Sequence, residues 1–198
     1  MKIVIIDYGV GNILSLESAL NRMGINPIYS RNVEEIKSAD KIIFPGVGEA
    51  KTAIEHIENY NLKTSIKNAT QPVLGICLGM QLMCNISAEN NTTCLQIFDI
   101  NVEKFIPKLP HQKVPQIGWN NIYAFQNSLF SGIPNNSYCY FVHSYFVPFH
   151  STYTIATANY IEPFSAAIHY KNFYGVQFHP EKSGDLGHQI LHNFIFNI

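Results

Sequence analysis

The chain reads Pro72-Val73-Leu74-Gly75-Ile76-Cys77-Leu78-Gly79 where an apolar run, typical of a buried strand, meets a helix-like segment that we expect to reach about Asn85. Glycines two residues before and after a cysteine, at a strand-to-helix junction, form the pattern of a nucleophile elbow. The central residue of such a turn has a strained backbone, and glycine fits the crowded positions beside it. The pattern predicts an α/β fold in which Cys77 projects beyond the end of a strand.

Two properties of this turn favour chemistry at Cys77. A sulfur at the start of a helix lies near the positive end of the helix dipole, which stabilises the reactive thiolate. The backbone N–H of Leu78 has no acceptor inside the helix and can donate to an oxyanion. The pattern alone is equally compatible with a small, buried and unreactive cysteine.

A second informative segment begins with a strand-like run, Phe173-Tyr174-Gly175-Val176-Gln177-Phe178, and ends in His179-Pro180-Glu181. A nucleophilic cysteine needs a base, and the base needs an acceptor that orients it. In an extended chain His179 and Glu181 lie on one side, and Pro180 stiffens the link. Taken singly, they also fit a buried imidazole and a solvated carboxylate. Together with Cys77 they predict a Cys-His-Glu triad.

These motifs resemble those of the triad-type glutamine amidotransferases. Further segments resemble, more narrowly, the glutaminase subunits of imidazole glycerol phosphate synthase. They keep the order of that family and extend the resemblance from residue 3 to about 194: Asp7-Tyr8-Gly9-Val10-Gly11-Asn12, Pro45-Gly46-Val47-Gly48, Gly118-Trp119-Asn120 and Tyr140-Phe141-Val142-His143-Ser144-Tyr145.

The resemblance implies that glutamine is hydrolysed to glutamate and ammonia, and that ammonia is channelled to a (β/α)₈ cyclase partner in histidine biosynthesis. The oxyanion needs a second donor, which we expect from the backbone of Gly46, Val47 and Gly48, where glycine permits close approach. Gln81, one helical turn after Cys77, is expected to contact the substrate. The resemblance adds His143, Ser144 and Tyr145 as substrate contacts and Asn12, Trp119, Tyr140 and Lys182 as partner contacts.

Each of these residues also has a plain structural interpretation. The Pro45–Gly48 segment fits a tight turn, Gln81 a helix surface, and the His143–Tyr145 segment a packed strand. Trp119 and Tyr140 fit core aromatics, Lys182 a solvated charge, and Asn12 a helix cap.

The sequence departs from the family pattern at three places, namely Gln116-Ile117 before Gly118, the glycine-free Thr93–Ile97 segment, and Glu49-Ala50. None of them removes a triad residue, but they leave the identity of the ammonia acceptor open. A sugar-amidinating synthase is the alternative partner. A stand-alone cysteine hydrolase and a non-catalytic regulatory subunit are alternatives of other classes.

Length and composition set further limits. A chain of 198 residues fits a single domain, residues 1–198, and 13 basic against 14 acidic side chains give no basic block for nucleic acid. The N-terminus resembles no targeting segment, and no apolar run approaches a membrane span. The four cysteines, without a CxxC pair, suit reduced thiols in the cytoplasm. His188 and His192 lack companion ligands, so we expect no metal and no cofactor.

Alternating strand-like and helical segments cover residues 2–76, which indicates a mostly parallel, doubly wound sheet with helices on both faces. After residue 97 the pattern is mainly strand-like, near 99–106, 119–124, 138–142, 154–159, 165–169 and 173–178, until a helix over 187–196. This predicts an antiparallel strand extension in the C-terminal half. Residues 87–94, rich in Ser, Asn and Thr, are expected to form a surface loop.

Overall fold

The computed structural model describes residues 1–9, 13–125 and 127–198 of the chain. Its strands are β1 Ile3–Ile6, β2 Ile28–Ser30, β3 Lys41–Phe44, β4 Val73–Ile76, β5 Ile86–Ser87, β6 Thr92–Thr93, β7 Glu103–Lys104, β8 Gln116–Ile122, β9 Ser137–His143, β10 Tyr145–Phe146, β11 Thr154–Asn159, β12 Pro163–Tyr170 and β13 Phe173–Val176. Its helices are α1 Ile13–Asn21, α2 Val33–Lys37, α3 Ala50–Asn59, α4 Lys63–Lys67, α5 Leu78–Leu82 and α6 Gly184–Phe196, and 3₁₀ turns occupy Ser128–Phe130 and Pro180–Lys182.

The central sheet has seven strands in the order β11-β12-β13-β4-β3-β1-β2. From β13 to β2 every pairing is parallel, whereas β12 pairs antiparallel with β13 and β11 antiparallel with β12. The predicted fold class, a mostly parallel sheet with an antiparallel extension, is therefore confirmed.

Helices cover both faces of this sheet because the central strands are apolar on both sides. Ile3 and Ile5 of β1 pack with buried residues of α1 and α6. Val4 and Ile6, which point the opposite way, pack with buried residues of α2, α3, α4 and α5. The two cores are consistent with the doubly wound arrangement expected from the sequence.

The remaining strands form three two-stranded sheets outside the central one, β8 with β9, β7 with β10, and β5 with β6. The strand expected over 99–106 is reduced to β7. The expectation of a surface loop over 87–94 is wrong, since β5 and β6 form a hairpin there and Ser87, Thr92 and Cys94 are buried. Some polar side chains bond within this segment, since the Thr92 hydroxyl donates to the Glu89 carbonyl at 2.6 Å, and others bond outside it, since Oε2 of Glu89 accepts from the Ala50 N–H at 2.7 Å.

The helix after Cys77 is shorter than expected, because α5 ends at Leu82 rather than near Asn85. The next carbonyl groups accept hydrogen bonds from outside the helix. Leu95 N–H donates to Leu82, Ile97 N–H to Met83 and Gln96 N–H to Cys84. The following segment thus ends the helix by occupying its last acceptors.

Four adjacent strands deliver their carboxyl ends to one edge of the sheet. Tyr8 follows β1 closely, Pro45 follows β3, Cys77 follows β4, and His179 comes shortly after β13. In open α/β sheets, ligands bind beyond this edge. Among the described residues, no helix has both the length and the apolar character needed to cross a bilayer.

Candidate active site

The turn after β4 holds Cys77 in an unusual backbone conformation. Its φ is 52° and its ψ is −108°, in a region that residues with a side chain rarely adopt. The Cys77 N–H donates to the Val176 carbonyl at 2.8 Å, which ties the turn to β13. The strained turn expected from the Gly-x-Cys-x-Gly pattern is present, and its strain is consistent with a functional site.

The turn at Cys77 packs against the loop after β3, and glycine is required on both sides of that contact because the two backbones nearly touch. A Cβ atom on Gly79 would lie 1.9 Å from the Phe44 carbonyl oxygen. One on Gly46 would lie 2.5 Å from the Gly79 nitrogen. The loop after β3 is therefore packed directly against the start of α5, beside Cys77.

His179 and Glu181 form a buried pair. Nδ1 of His179 lies 2.8 Å from Oε1 of Glu181, and their side chains are only 5% and 4% exposed. The sequence led us to expect an extended chain through Glu181. This expectation is wrong, because Pro180 begins a 3₁₀ turn. The Ser183 hydroxyl holds this turn by donating to the His179 carbonyl at 2.6 Å.

The sulfur of Cys77 completes the group. Burial by itself lowers the pKa of His179, but hydrogen bonds with Cys77 and Glu181, together with their charges, outweigh burial and raise the pKa to about 10. Cys77 and His179, about a hundred residues apart, therefore meet at one place. Such an imidazolium, held between a sulfur and a carboxylate, can give a proton to a leaving group.

A cleft of about 320 Å³ opens over the sulfur. Many of the residues proposed from the sequence line it: Val47, Gly48, Cys77, Leu78, Gln81, His143, Ser144, Tyr145, His179 and Lys182. Gly46 and Glu181 instead line a narrow space next to Val47 and His179. The structure thus gathers most of these residues around one cleft, with Gly46 and Glu181 directly beside it.

The residues proposed to supply backbone donors line this cleft. Leu78 is the first residue of α5, so its N–H has no acceptor within the helix. Val47 and Gly48 line the same cleft, and Gly48 has a φ of +95°, which favours glycine. The segment is anchored by Tyr8, whose buried hydroxyl donates to the Pro45 carbonyl at 2.6 Å. Tyr8 was not identified from the sequence as a residue of the site.

Gln81 has one group left for a ligand. Its Nε2 donates to the Tyr145 carbonyl at 2.8 Å and to Oε1 of Gln177 at 3.0 Å. Because an amide nitrogen carries two hydrogens, both are used, and Oε1 remains as an acceptor for an N–H group. Gln81 is buried at the cleft wall rather than exposed on a helix surface.

The side chain of His143 is satisfied inside the protein. Nδ1 lies 2.8 Å from the Tyr145 carbonyl, to which it donates, and Nε2 lies 3.0 Å from the terminal amide of Gln116, which must present its NH₂ group there when the ring is neutral. Burial lowers the pKa of His143 to about 4, so the ring is neutral at pH 7. With both ring nitrogens engaged, this segment can offer a ligand its backbone groups.

The residues expected to face a partner lie mainly on the β8–β9 hairpin. Trp119 is 57% exposed and stacks edge-on against Tyr140, with ring centroids 6.0 Å apart. The Tyr140 carbonyl accepts from the His179 N–H at 2.9 Å, which connects the hairpin to the candidate base. Lys182 is exposed at the rim of the cleft. Asn12 lies outside the described residues.

Two other observations concern metals and thiols. No cluster of three or more His, Cys, Asp or Glu side chains in the described part of the chain could hold a metal ion. Cys84, Cys94 and Cys139 are free and buried, and burial raises the pKa of all three thiols. Cys77, by contrast, lines the cleft.

Comparison of the sequence with protein families gives a match to the model described as Glutamine amidotransferase class-I over residues 4–198. The Imidazole glycerol phosphate synthase subunit HisH of Bacteroides fragilis (strain YCH46) is 50% identical over 195 residues, covering 98% of this chain and 99% of that protein. The subunit HisH 2 of Campylobacter jejuni (strain RM1221) is 46% identical over 198 residues, covering 100% of both.

Solved structures resemble the fold at much lower sequence identity. A crystal structure of a glutamine amidotransferase aligns with a TM-score of 0.73 at 15% identity, covering 98% of this chain and 97% of that one. A structure of PurLQS from Thermotoga maritima aligns with a TM-score of 0.68 at 15% identity, covering 98% of this chain and 97% of that one. At these identities the likeness concerns the fold alone.

Proposed function

The chain belongs to the class-I glutamine amidotransferase family, and from this premise we propose that residues 1–198 form one domain, the glutaminase subunit of an imidazole glycerol phosphate synthase in histidine biosynthesis. The observation that carries the proposal is that Cys77 and His179 line the same cleft, with Nδ1 of His179 held 2.8 Å from the buried carboxylate of Glu181. The extent of the match to the HisH subunits supports the choice of synthase.

In the proposed acylation step, the Cys77 thiolate attacks the side-chain amide carbon of glutamine. The carbonyl π electrons move to oxygen and form a tetrahedral oxyanion. His179, as imidazolium, donates a proton to the amide nitrogen, the C–N bond breaks, and ammonia leaves behind a thioester. The raised pKa of His179 supplies the proton-bearing form at neutral pH.

In the second step, neutral His179 takes a proton from water while the water oxygen attacks the thioester carbon. Collapse of the second oxyanion expels the Cys77 thiolate and releases glutamate, which restores the starting pair. Glu181 accepts from Nδ1 throughout, so the opposite nitrogen, Nε2, faces the sulfur and the substrate.

Both oxyanions need backbone donors. Leu78 N–H is the first in our proposal, and the second comes from the Gly46-Val47-Gly48 segment. A pair of donors aimed at the developing charge is one of the largest contributions to acyl-transfer catalysis. The positions of Leu78, Val47 and Gly48 around the cleft support this assignment.

Glutamine recognition is assigned to Gln81 and the His143-Ser144-Tyr145 segment. Oxygen Oε1 of Gln81 suits an N–H group of the substrate because both of its amide hydrogens are used elsewhere. The backbone of residues 143–145 supplies further polar groups along the wall. We assign no cofactor or metal to the reaction, since the proposed acyl transfer uses only side-chain and backbone groups.

Ammonia must reach a second site before it escapes, and the relatives are named as subunits of a synthase. We therefore assign a (β/α)₈ cyclase as the partner. The outer face of the β8–β9 hairpin supports this: Ile117 and Trp119 of β8 are exposed opposite Val142 and Tyr140 of β9. An exposed apolar face of this kind is typical of a protein-binding surface. Lys182 and Asn12 are assigned to the same contact.

The test is glutamate release from glutamine by the purified chain, alone and with the cyclase subunit of the same organism and its nucleotide substrate. We expect slow release by the chain alone, faster release with the loaded partner, and none from Cys77→Ser. Turnover by Cys77→Ser would contradict the nucleophile, and equal rates with and without the partner would contradict the coupling.

A further inference from the structure

A buried amide contacts the sulfur of Cys77, and the triad does not account for it. Gln177, just after β13, is fully buried, and its Nε2 lies 3.6 Å from Cys77 Sγ. We propose that Gln177 is a further catalytic residue, which donates a hydrogen bond to the Cys77 thiolate and links it to the substrate-binding Gln81. This inference rests on the proposed function, in which Cys77 is the nucleophile.

The orientation of the Gln177 amide follows from its neighbours. Gln81 Nε2 donates to Gln177 Oε1 at 3.0 Å, and its second hydrogen goes to the Tyr145 carbonyl. The reversed orientation of Gln177 would place two NH₂ groups against each other, since Gln81 has only donors on that side. The oxygen of Gln177 therefore faces Gln81, and its nitrogen faces the sulfur.

Because Gln177 is buried, the strength of its hydrogen bond depends on whether the sulfur is a thiol or a thiolate. A buried N–H needs an acceptor, a neutral thiol sulfur is a weak one, and a thiolate gives a charge-assisted bond. The Val142 carbonyl oxygen lies 3.7 Å from Sγ and acts the other way, because it accepts from the thiol form. Gln177 thus offsets a carbonyl that favours the unreactive state.

Several titratable side chains surround the sulfur. His179, held by Glu181, hydrogen-bonds to it and also favours thiolate. Tyr8 lies close by with its hydroxyl committed to Pro45, and the wall of the cleft adds His143, Glu89, Tyr145 and Lys182. Gln177 differs from all of these because its amide carries no charge and does not titrate in this range.

Both chemical steps use the same contact. The thiolate is the nucleophile when the thioester forms and the leaving group when it breaks. An N–H donor bonds more strongly to a thiolate than to a thioester sulfur, so Gln177 raises the thiolate fraction and assists thioester breakdown. No proton passes through Gln177, since His179 carries out both proton transfers. Because hydrogen bonds in a chain polarise one another, a substrate bound at Gln81 strengthens the donor at the sulfur.

The decisive experiment is the pH dependence of Cys77 alkylation by iodoacetamide in the full chain, resolved by peptide mass spectrometry. Gln177→Met keeps the length of the side chain without its donor, and we expect the pH midpoint to rise by about one unit. Gln71→Met is the matched control, because the Gln71 amide donates to the backbone carbonyls of Ile36 and Lys37. An unchanged midpoint in folded Gln177→Met overturns the proposal.

If Gln177→Met does not fold, Gln177→Glu, which preserves the shape, takes its place. Its carboxylate would repel the thiolate, so the midpoint should rise further, and a midpoint equal to that of the wild type again overturns the proposal. Alkylation requires no glutamine turnover. If the midpoint shifts but the wild-type chain has no glutaminase activity, the proposed function is refuted and the role of Gln177 at the sulfur stands. If the chain is active but the midpoint does not shift, the role of Gln177 is refuted and the proposed function stands.

Discussion

At the scale of single residues, the charge of Glu181 controls the imidazole of His179. The carboxylate lies 2.8 Å from Nδ1 in a buried site, where electrostatic interactions are strong. It contributes both the orientation of the ring and part of the increase in its pKa. These two effects can be separated from packing by a substitution that preserves shape.

Glu181→Gln should reduce kcat for glutamine hydrolysis by roughly 10²–10⁴-fold, because the imidazolium loses its stabilising charge and the ring its fixed tautomer. NMR titration of the variant should show a lower pKa for His179 than in the wild type. Glu58→Gln, which breaks an exposed ion pair with Lys63, is the control. An unchanged kcat in Glu181→Gln would exclude the assigned role.

Tyr8 acts on the loop rather than on the substrate. Tyr8→Phe removes the hydroxyl that donates to the Pro45 carbonyl and should reduce the free energy of unfolding by about 1 kcal/mol. Because the loop carries the proposed oxyanion donor, kcat should fall while KM stays near its wild-type value. Tyr160→Phe loses a similar bond to the Lys113 carbonyl at an exposed position and should affect neither kinetic constant. Equal kinetics in both variants would argue against a role for Tyr8.

Sequence reasoning singled out the proposed triad because a cysteine between two glycines at the end of one strand and a His-Pro-Glu segment after another point to the same chemistry when they are taken together. It missed Gln177 and Tyr8 because a Gln within an apolar run, or a Tyr shortly after a buried strand, is commonly a packed residue. Their roles depend on partners 100 and 37 positions away, Cys77 and Pro45. A glutamine placed between two buried apolar residues, Val176 and Phe178, was the one available signal.

At the scale of elements, the contact between the loop after β3 and the first turn of α5 fixes the surroundings of Cys77, the proposed nucleophile. Gly79→Ala would bring Cβ within 1.9 Å of the Phe44 carbonyl oxygen, a backbone atom that cannot move aside easily. We expect a loss of about 3 kcal/mol or more in the free energy of unfolding, measured by urea denaturation.

Gly132→Ala is the control for that prediction. Gly132 has no neighbour within 4 Å of a Cβ and only a positive φ, +76°. Its substitution should therefore cost about 1 kcal/mol of backbone strain. Equal losses for the two alanines would show that the loop and helix can separate without penalty.

Local patterns predicted the strand-to-helix turn at Cys77 correctly and the final helix, expected over 187–196 and observed over Gly184–Phe196, within a few residues. The errors lie where long-range hydrogen bonds decide the outcome. Residues 95–97 occupy the carbonyls that would continue α5, and the 87–94 segment forms a hairpin that also bonds to Ala50 and Val102. Neither pairing leaves a periodic signal in its own segment.

At the scale of the whole molecule, the pKa values of two histidines are shifted in opposite directions, and together they limit the pH range over which the fold is most stable. His143 has its pKa lowered to about 4, so its contribution is complete above pH 6.5 and is lost as the pH falls toward 4. His179 has its pKa raised to about 10, so its contribution is complete below pH 6.5 and is lost as the pH rises toward 10.

We therefore expect the free energy of unfolding to peak near pH 6.5 when it is measured by urea denaturation across pH 4–10. His143→Gln should flatten the acid side, where the ionisation of His143 accounts for up to about 3 kcal/mol. His179→Gln should flatten the alkaline side. A variant that keeps the full slope on its own side would contradict the assignment to that histidine.

The two margins of the central sheet have a consequence for the free subunit. β2 spans only three residues, while β11 carries register irregularities at Thr154–Thr157 and bonds outward to Tyr123. A short edge strand such as β2, and an irregular edge strand that already pairs outward such as β11, are poor templates for a strand from another copy of the chain. Copies of this chain are therefore not expected to polymerise edge to edge, even at high concentration.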